Sequence, residues 1–330
     1  MNIYKDKSVL VTGGTGMIGR PLVEKLLDLG AEVRVASLDD PSLADPRTDF
    51  HQTNLLRFEN CEKICRNIDY VFQLAGIKGS PLMTKIKPAS FFVPTILMNL
   101  NMMEASRQNN VDRYLYTSSI GVYAPAPVFH EDDVWKTFPS ENDKFAGWAK
   151  RMGELQAEAY KIEYDWKNIA IVRPANVYGP YDNFDPRNAM VIPSLIRRAA
   201  DGENPFTVWG DGTPIRDFIH AYDVADGMLL ALEKGVGEAY NLGSGTGISI
   251  KDLVLIIMAN LDEKPDIAWD LSKPSGDKIR VMDISKAKRI GYKPRVSFED
   301  GISQVMKWYI ENKSEINKRY NVFSTCLARQ

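Results

Sequence analysis

Cysteine and histidine are scarce in this chain, with three of each among 330 residues. Cys61 and Cys65 sit four apart with no histidine beside them, and Cys326 stands alone near the end, so neither a disulfide framework nor a metal site is expected. Core thiols are the simpler reading. A surplus of one charge is missing too: 41 Lys and Arg against 43 Asp and Glu leave a net charge of -2, which favours neither nucleic acid nor an anionic membrane as partner. Any anion must be recognised by a local group of basic residues. Long apolar runs are also absent; the most apolar stretch, residues 91–103, is broken by Pro94, Asn99 and Asn101 and does not suit a bilayer. The opening Lys5-Asp6-Lys7 leads straight into apolar residues with no leader-like segment, so a soluble, cytoplasmic protein is expected. No fixed-period repeat or low-complexity tract is present.

What is present is a glycine pattern in a telling context. Val11-Thr12-Gly13-Gly14-Thr15-Gly16-Met17-Ile18-Gly19 follows a short apolar strand (8–12) and opens a helix (17–29), after which a second strand (32–36) completes one βαβ length. Gly13 permits the tight turn, Gly16 removes the Cβ that would block a diphosphate, and Gly19 lets the helix pack on its strand. The free N–H groups of the helix start then face the phosphates. Further strands at 49–53, 70–74, 113–118 and 169–172 alternate with helices at 59–67, 94–109 and 143–163. The expected fold is α/β, a Rossmann-type doubly wound parallel sheet over residues 1–175, with a smaller lobe over 176–330 from which about 206–240 return to the sheet. Helices at 191–200, 221–234, 250–261 and 298–311 belong to this second part. In such sheets the reactive groups gather beyond the carboxyl ends of the strands, where Thr117, Ser118 and Ser119 are placed.

Five separated motifs make the chain resemble the extended short-chain dehydrogenase/reductase family of nucleotide-sugar epimerases, dehydratases and reductases. They are residues 12–19, Leu74-Ala75-Gly76, Ser118-Ser119-Ile120-Gly121-Val122-Tyr123 with Lys150, Arg173-Pro174-Ala175-Asn176-Val177-Tyr178-Gly179-Pro180, and Arg216-Asp217-Phe218-Ile219-His220. The resemblance implies a retained or exchanged NAD (NADP not excluded) touching Gly13, Gly16, Met17, Ile18, Gly19, Ala75, Gly76, Lys150 and Pro174, with Asn54 and Leu55 near its adenine. It also implies a homodimer. At the end of the second strand, where an acid is expected to hold the ribose, the chain reads Ser37-Leu38-Asp39-Asp40; with no Lys or Arg between Arg34 and Arg47, NAD is favoured over NADP. Ser37 and Asp39 are the candidate cofactor contacts there; the alternative reads both aspartates as solvated turn residues.

Trp209 to Arg216, Trp269 to Gly276 and Pro180 to Pro186 resemble most the GDP-fucose synthase branch of that family. This implies a nucleoside-diphosphate sugar as substrate, GDP favoured and UDP possible. Arg216 and Arg280 would clamp the diphosphate, Asn176 and Val191 would add contacts, and Trp209 would lie by the base. The branch's epimerising Cys and His are Gly121 and Met190 here, and the dehydratases' acidic pair is Ile120 and Gly121, which leaves reversible hydride transfer at the sugar C4.

One departure is sharper. The family's chemistry uses a Ser or Thr, here Ser119, and a YxxxK pair whose lysine is Lys150. The tyrosine belongs at 146, and the chain reads Lys144-Phe145-Ala146-Gly147-Trp148-Ala149-Lys150. Two readings follow: an active enzyme inactivated by substitution at 146, or a natural protein that binds NAD and a nucleotide sugar without turnover. Tyr123 is the one conceivable substitute. His51 and His130 read as surface residues, His220 as support for the Arg216 segment, and Glu131-Asp132-Asp133 as a solvated loop.

Overall fold

Apolar residues that no polar neighbour interrupts, such as Val9, Leu10 and Val11, form strands buried on both faces, which is what a parallel sheet between helical layers requires. The computed structural model describes residues 2–273, 276–314 and 320. Its first half runs β1 (Ser8–Thr12), α1 (Gly19–Asp28), β2 (Glu32–Ser37), β3 (Asp49–Gln52), α2 (Phe58–Ile64), β4 (Tyr70–Gln73), α3 (Pro81–Ile86), α4 (Pro88–Gln108), β5 (Arg113–Thr117), α5 (Lys144–Glu163) and β6 (Ile169–Pro174). Then come β7 (Asn176–Tyr178), α6 (Val191–Ala200), β8 (Phe206–Trp209), β9 (Ile215–Arg216), β10 (Phe218–His220), α7 (Ala221–Lys234) and β11 (Ala239–Leu242). The chain continues through β12 (Ile248–Ser249), α8 (Ile250–Ala259), β13 (Ile267–Asp270), β14 (Ile279–Arg280), α9 (Ser285–Arg289) and α10 (Phe298–Glu311). Cys326, Pro274 and Ser275 lie outside the described residues.

Seven strands form one sheet in the order β11-β6-β5-β4-β1-β2-β3, and every pairing in it is parallel. The order reverses between β1 and β4, so the loops leaving these two strands part and open a crevice at the carboxyl edge. Leu22, Val23 and Leu26 of α1 join Val224, Met228 and Leu232 of α7 in the core on one face. Cys61, Ile64, Cys65, Met102, Met103 and Ala157 fill the other, so both described cysteines are core thiols. The second part has its own core, built from α6, α8 and α10. The segment that rejoins the large sheet is α7 and β11; β8 pairs instead with β13 within the lobe.

Two local readings change. Helix α4 starts at Pro88 rather than 94, with Pro94 inside it. A proline in that place forfeits one backbone bond, while the Thr95 hydroxyl donates to the Phe91 carbonyl nearby (2.7 Å). Glu131 is no solvated loop residue: it opens a short helical turn (Glu131–Lys136), and its carboxylate accepts the Asn241 N–H of β11 (3.0 Å). Along α4, Met102 and Met103 are enclosed while Leu100 is exposed.

His220, at the end of β10, is buried, and its Nδ1 accepts the Tyr222 N–H that opens α7. Burial pushes its imidazole down to about 4. The folded protein therefore holds it neutral, whereas the unfolded chain binds a proton below about 6.5. Stability at this residue is fully present above that pH and is lost progressively as pH falls towards 4. We expect His220→Gln to flatten the fall in urea midpoint between pH 6.5 and 4; an unchanged slope would show that the group does not drive it.

Candidate active site

The glycine turn is built for close approach. Gly13 has φ +69°, a left-handed conformation that other side chains resist, and its carbonyl accepts the Gly16 N–H (2.9 Å). A Cβ on Gly19 would fall 2.2 Å from that carbonyl oxygen, so only glycine lets α1 begin against the turn. Thr12 fastens the opposite wall: its hydroxyl donates to Gln73 (2.6 Å) and accepts the N–H groups of Leu74 (3.1 Å) and Ala75 (3.0 Å). Between these walls lies a cleft of about 600 Å³, lined by Gly13, Thr15, Gly16, Met17, Ile18 and Gly19, by Ser37 and Asp39 after β2, by Asn54 and Leu55 after β3, and by Ala75 and Gly76 after β4. Pro174 is buried at the end of β6 and does not line it.

Asp39 is not a solvated turn residue. The Thr15 hydroxyl donates to its carboxylate (2.7 Å) and lies 2.8 Å from the Ser37 hydroxyl, so the acid faces the cleft from two positions beyond the expected one. Its other oxygen accepts the Tyr320 N–H (2.8 Å), which brings a residue from the chain's end to the cleft. Asp40 instead accepts the Ser42 N–H of a surface turn. At the inner end, the buried Thr117 hydroxyl has no hydrogen-bond partner among the described residues. A left-handed glycine turn, an inward carboxylate and an unsatisfied buried hydroxyl suit a dinucleotide with its ribose at Asp39 and its far end at Thr117.

Lys150 stands where that far end would lie. Its Nζ donates to the Thr117 carbonyl (2.8 Å), and burial pushes its ammonium down to about 8. Ser119 follows two residues on, its hydroxyl accepting the Gly121 N–H (3.1 Å). Tyr123 cannot stand in for a missing phenol: it is buried, with its hydroxyl bonded to Asn241 (2.6 Å) and Arg173 (3.0 Å). Ala146 occupies the α5 face between Asp143 and Lys150. Asp143, which sequence reasoning passed over, comes close to Ser119: a Cβ built on Gly121 would lie 3.5 Å from Ser119 Oγ and 3.6 Å from Asp143 Cγ.

The two arginines are brought together by strand pairing. Arg216 of β9 and Arg280 of β14 are register partners. Burial and then the neighbouring Arg280 charge lower the pKa of Arg216. Arg280 meanwhile pairs with Asp143 and with Asp277 (3.2 Å). Asn176 donates to the Asp217 carbonyl (2.9 Å) between β9 and β10, Val191 opens α6, and Trp209 is exposed at the end of β8. Lys78, paired with Asp182 (2.6 Å), and Asn188, bonded to the Ser80 N–H (2.8 Å), bring residues from the second half over the cleft. Only their shared wall signals this, and no local pattern in the sequence does.

A sequence model described as the NAD dependent epimerase/dehydratase family matches residues 9–243. The chain belongs to that family. Among its curated relatives, GDP-L-fucose synthase 1 of Arabidopsis thaliana is 31% identical over 320 residues, covering 93% of this chain and 94% of the relative. An epimerase from Methanothermobacter thermautotrophicus superposes with a TM-score of 0.85 at 27% identity, covering 96% of each chain. UDP-glucose 4-epimerase of Thermus thermophilus, solved in complex with NAD, superposes with a TM-score of 0.81 at 26% identity over 92% of this chain and 99% of that one. As a member of an NAD-dependent family, the chain carries that family's seven-stranded sheet and a smaller second lobe.

Proposed function

We propose that this protein binds NAD in the glycine-walled cleft and a nucleoside-diphosphate sugar, GDP-linked in preference to UDP-linked, against Arg216 and Arg280, and transfers hydride reversibly at the sugar C4. The observation that carries this is that Lys150 meets Thr117 at the cleft's inner end, while Asp143, close to Ser119, pairs with Arg280, the register partner of Arg216. When bound, NAD supplies the hydride acceptor and donor. Lys150 would hold the ribose hydroxyls beside it, Ser119 would donate to the sugar oxygen that becomes a carbonyl, and the arginines would fix the diphosphate through paired bonds. Asp39 favours NAD because its carboxylate would repel a 2'-phosphate.

The choice of GDP leans on the Arabidopsis relative, whose name specifies GDP-L-fucose, although the Thermus structure is a UDP-glucose enzyme. Positions 121 and 190 carry no group that moves a proton, so 3,5-epimerisation as in fucose synthesis is left out and a C4 epimerase or 4-keto reductase remains. Ala146 supports a second reading, binding of both ligands without turnover. Exposed Val93, Leu97 and Leu100 on α4 with Leu155 on the adjoining α5 fit a homodimer face; a monomeric mass in sedimentation would exclude it.

The test is calorimetry with NAD, GDP-sugars and UDP-sugars. We expect NAD to bind the unaltered protein and Gly19→Ala to weaken it at least 100-fold (a ΔΔG of about 2.7 kcal/mol,). Tighter binding of UDP-sugars than GDP-sugars would reverse the base preference. Absence of binding by any dinucleotide would refute the reading.

A further inference from the structure

The turn after β4 takes its hydrogen bonds from the other half of the chain. Lys78 Nζ meets the Asp182 carboxylate (2.6 Å), the Lys78 carbonyl accepts from Asn188 Nδ2 (3.0 Å), and the Ser80 N–H donates to Asn188 Oδ1 (2.8 Å). The Asn188 amide thus meets the two backbone groups that flank Gly79, as a paired strand would. Asn188 is buried, and the Asp182 side chain is only 3% exposed. Lys78, Asp182 and Asn188 all line the glycine-walled cleft, so the three bonds form a clasp in its wall. The jaw supplied by the second half is braced. Phe184 is enclosed in the core of the lobe, and its carbonyl accepts from Arg197 of α6 (3.0 Å). The Asn183 side chain accepts the Asp185 N–H (2.9 Å), and the Asp185 carbonyl accepts the Asn188 N–H (2.9 Å). The opposite jaw lacks such bracing: between Gly76 and Ser80 the remaining hydrogen bonds, among the described residues, are those with which Ser80 opens α3. When the clasp parts, the turn after β4 is the piece free to move. The closed form also leaves a buried oxygen unmet, since Asp182 Oδ2 has no hydrogen-bond partner among the described residues. Water reaching that oxygen on opening removes the cost, which suits a contact that opens and closes.

We propose that Asp182 and Asn188 are positioning residues that hold the turn after β4 shut, and that a dinucleotide enters and leaves the cleft only while this clasp is open. This rests on the NAD-binding part of the reading above. Every bond of the clasp runs between protein groups, so it shuts without help from the cofactor. A gate of that kind slows arrival and departure by the same factor and leaves affinity where the glycine turn, Asp39 and Thr117 set it. A side chain that touched the cofactor would act otherwise, slowing departure alone.

Stopped-flow fluorescence with NADH on the full chain tests this. Asn188→Ala is expected to raise both the association and the dissociation rate by roughly tenfold or more, the size of one buried hydrogen-bonded contact, while Kd moves by less than about threefold. Lys78→Met should do the same from the exposed end of the clasp, and it decides the matter alone if Asn188→Ala does not fold. The double variant should be no faster than the faster single one, because both open one clasp. Without cofactor, hydrogen exchange of the Ser80 amide should be slow in the unaltered chain and quicken in either variant. A change in one rate alone, with Kd moving in proportion, overturns the gate and makes these residues ordinary cofactor contacts. Unchanged rates overturn it too, as does a Ser80 amide that exchanges in the unaltered chain as fast as in a free peptide. Absence of NAD and NADH binding by the unaltered chain refutes the cofactor reading itself; binding with rates the variants do not alter refutes only the gate.

Discussion

Ala146→Tyr is expected to raise the rate of NADH formation from the sugar nucleotide by about 10²–10⁴-fold, the range a well-placed general acid/base contributes. Position 146 lies four residues before Lys150 on the same helix face and is partly exposed. A phenol there would come under the field of the Lys150 ammonium, which favours phenolate and brings its pKa below the ordinary value near 10. The gain should fall in the rate at saturating substrate with little change in substrate affinity, because the clamp of Arg216 and Arg280 lies on other strands. Stopped-flow absorbance of NADH reads both quantities. A variant that folds, binds both ligands and is no faster than the unaltered chain would show that 146 is not where the proton is handled.

How much of this was legible in the sequence differs from residue to residue. The glycine turn and the strand–helix–strand unit it opens were, since a left-handed residue at 13 and a close contact at 19 are local demands that only glycine meets. Helix boundaries at 191–200, 221–234 and 298–311 also agree with the structure, because those segments bury one strongly apolar face. The start of α4 was not, as Pro94 reads as a boundary when taken alone, whereas packing against α5 holds the helix through it. Asp39 could be offered from the sequence only alongside Ser37, because strand length sets the acid's place at 37; the Thr15 bond is what shows the carboxylate reaching back from 39. Asp143 and Asp277 beside Arg280 carry no motif at all. Asp277 reaches Arg280 from three residues away, while Asp143, just before α5, meets it only through the fold.

Beneath the reaction centre lies the interaction whose loss should cost most in stability. Arg173 of β6 and Glu154 of α5 form a two-pronged pair (2.7 and 2.9 Å) with side chains only 3% and 2% exposed. Ser118 donates to the same carboxylate, and Arg173 also donates to Tyr123 (3.0 Å) and the Glu131 carbonyl (2.9 Å). The pair thus joins β5, β6 and α5 one turn from Lys150 and one residue from Ser119. Its attraction, opposed by desolvation, need not make it better than an apolar pair of the same size; breaking it is another matter, because one charge then stays buried and unmatched. Glu154→Gln or Arg173→Met alone is therefore expected to lower the unfolding free energy by about 3–5 kcal/mol, measured from urea midpoints at constant slope. The double variant Glu154→Met with Arg173→Met should lose less than the sum of the two single changes, since neither charge is left behind. Single variants that unfold at the unaltered midpoint would mean that water reaches the pair and screens it, and that Lys150 and Ser119 are held in place by α5 packing alone.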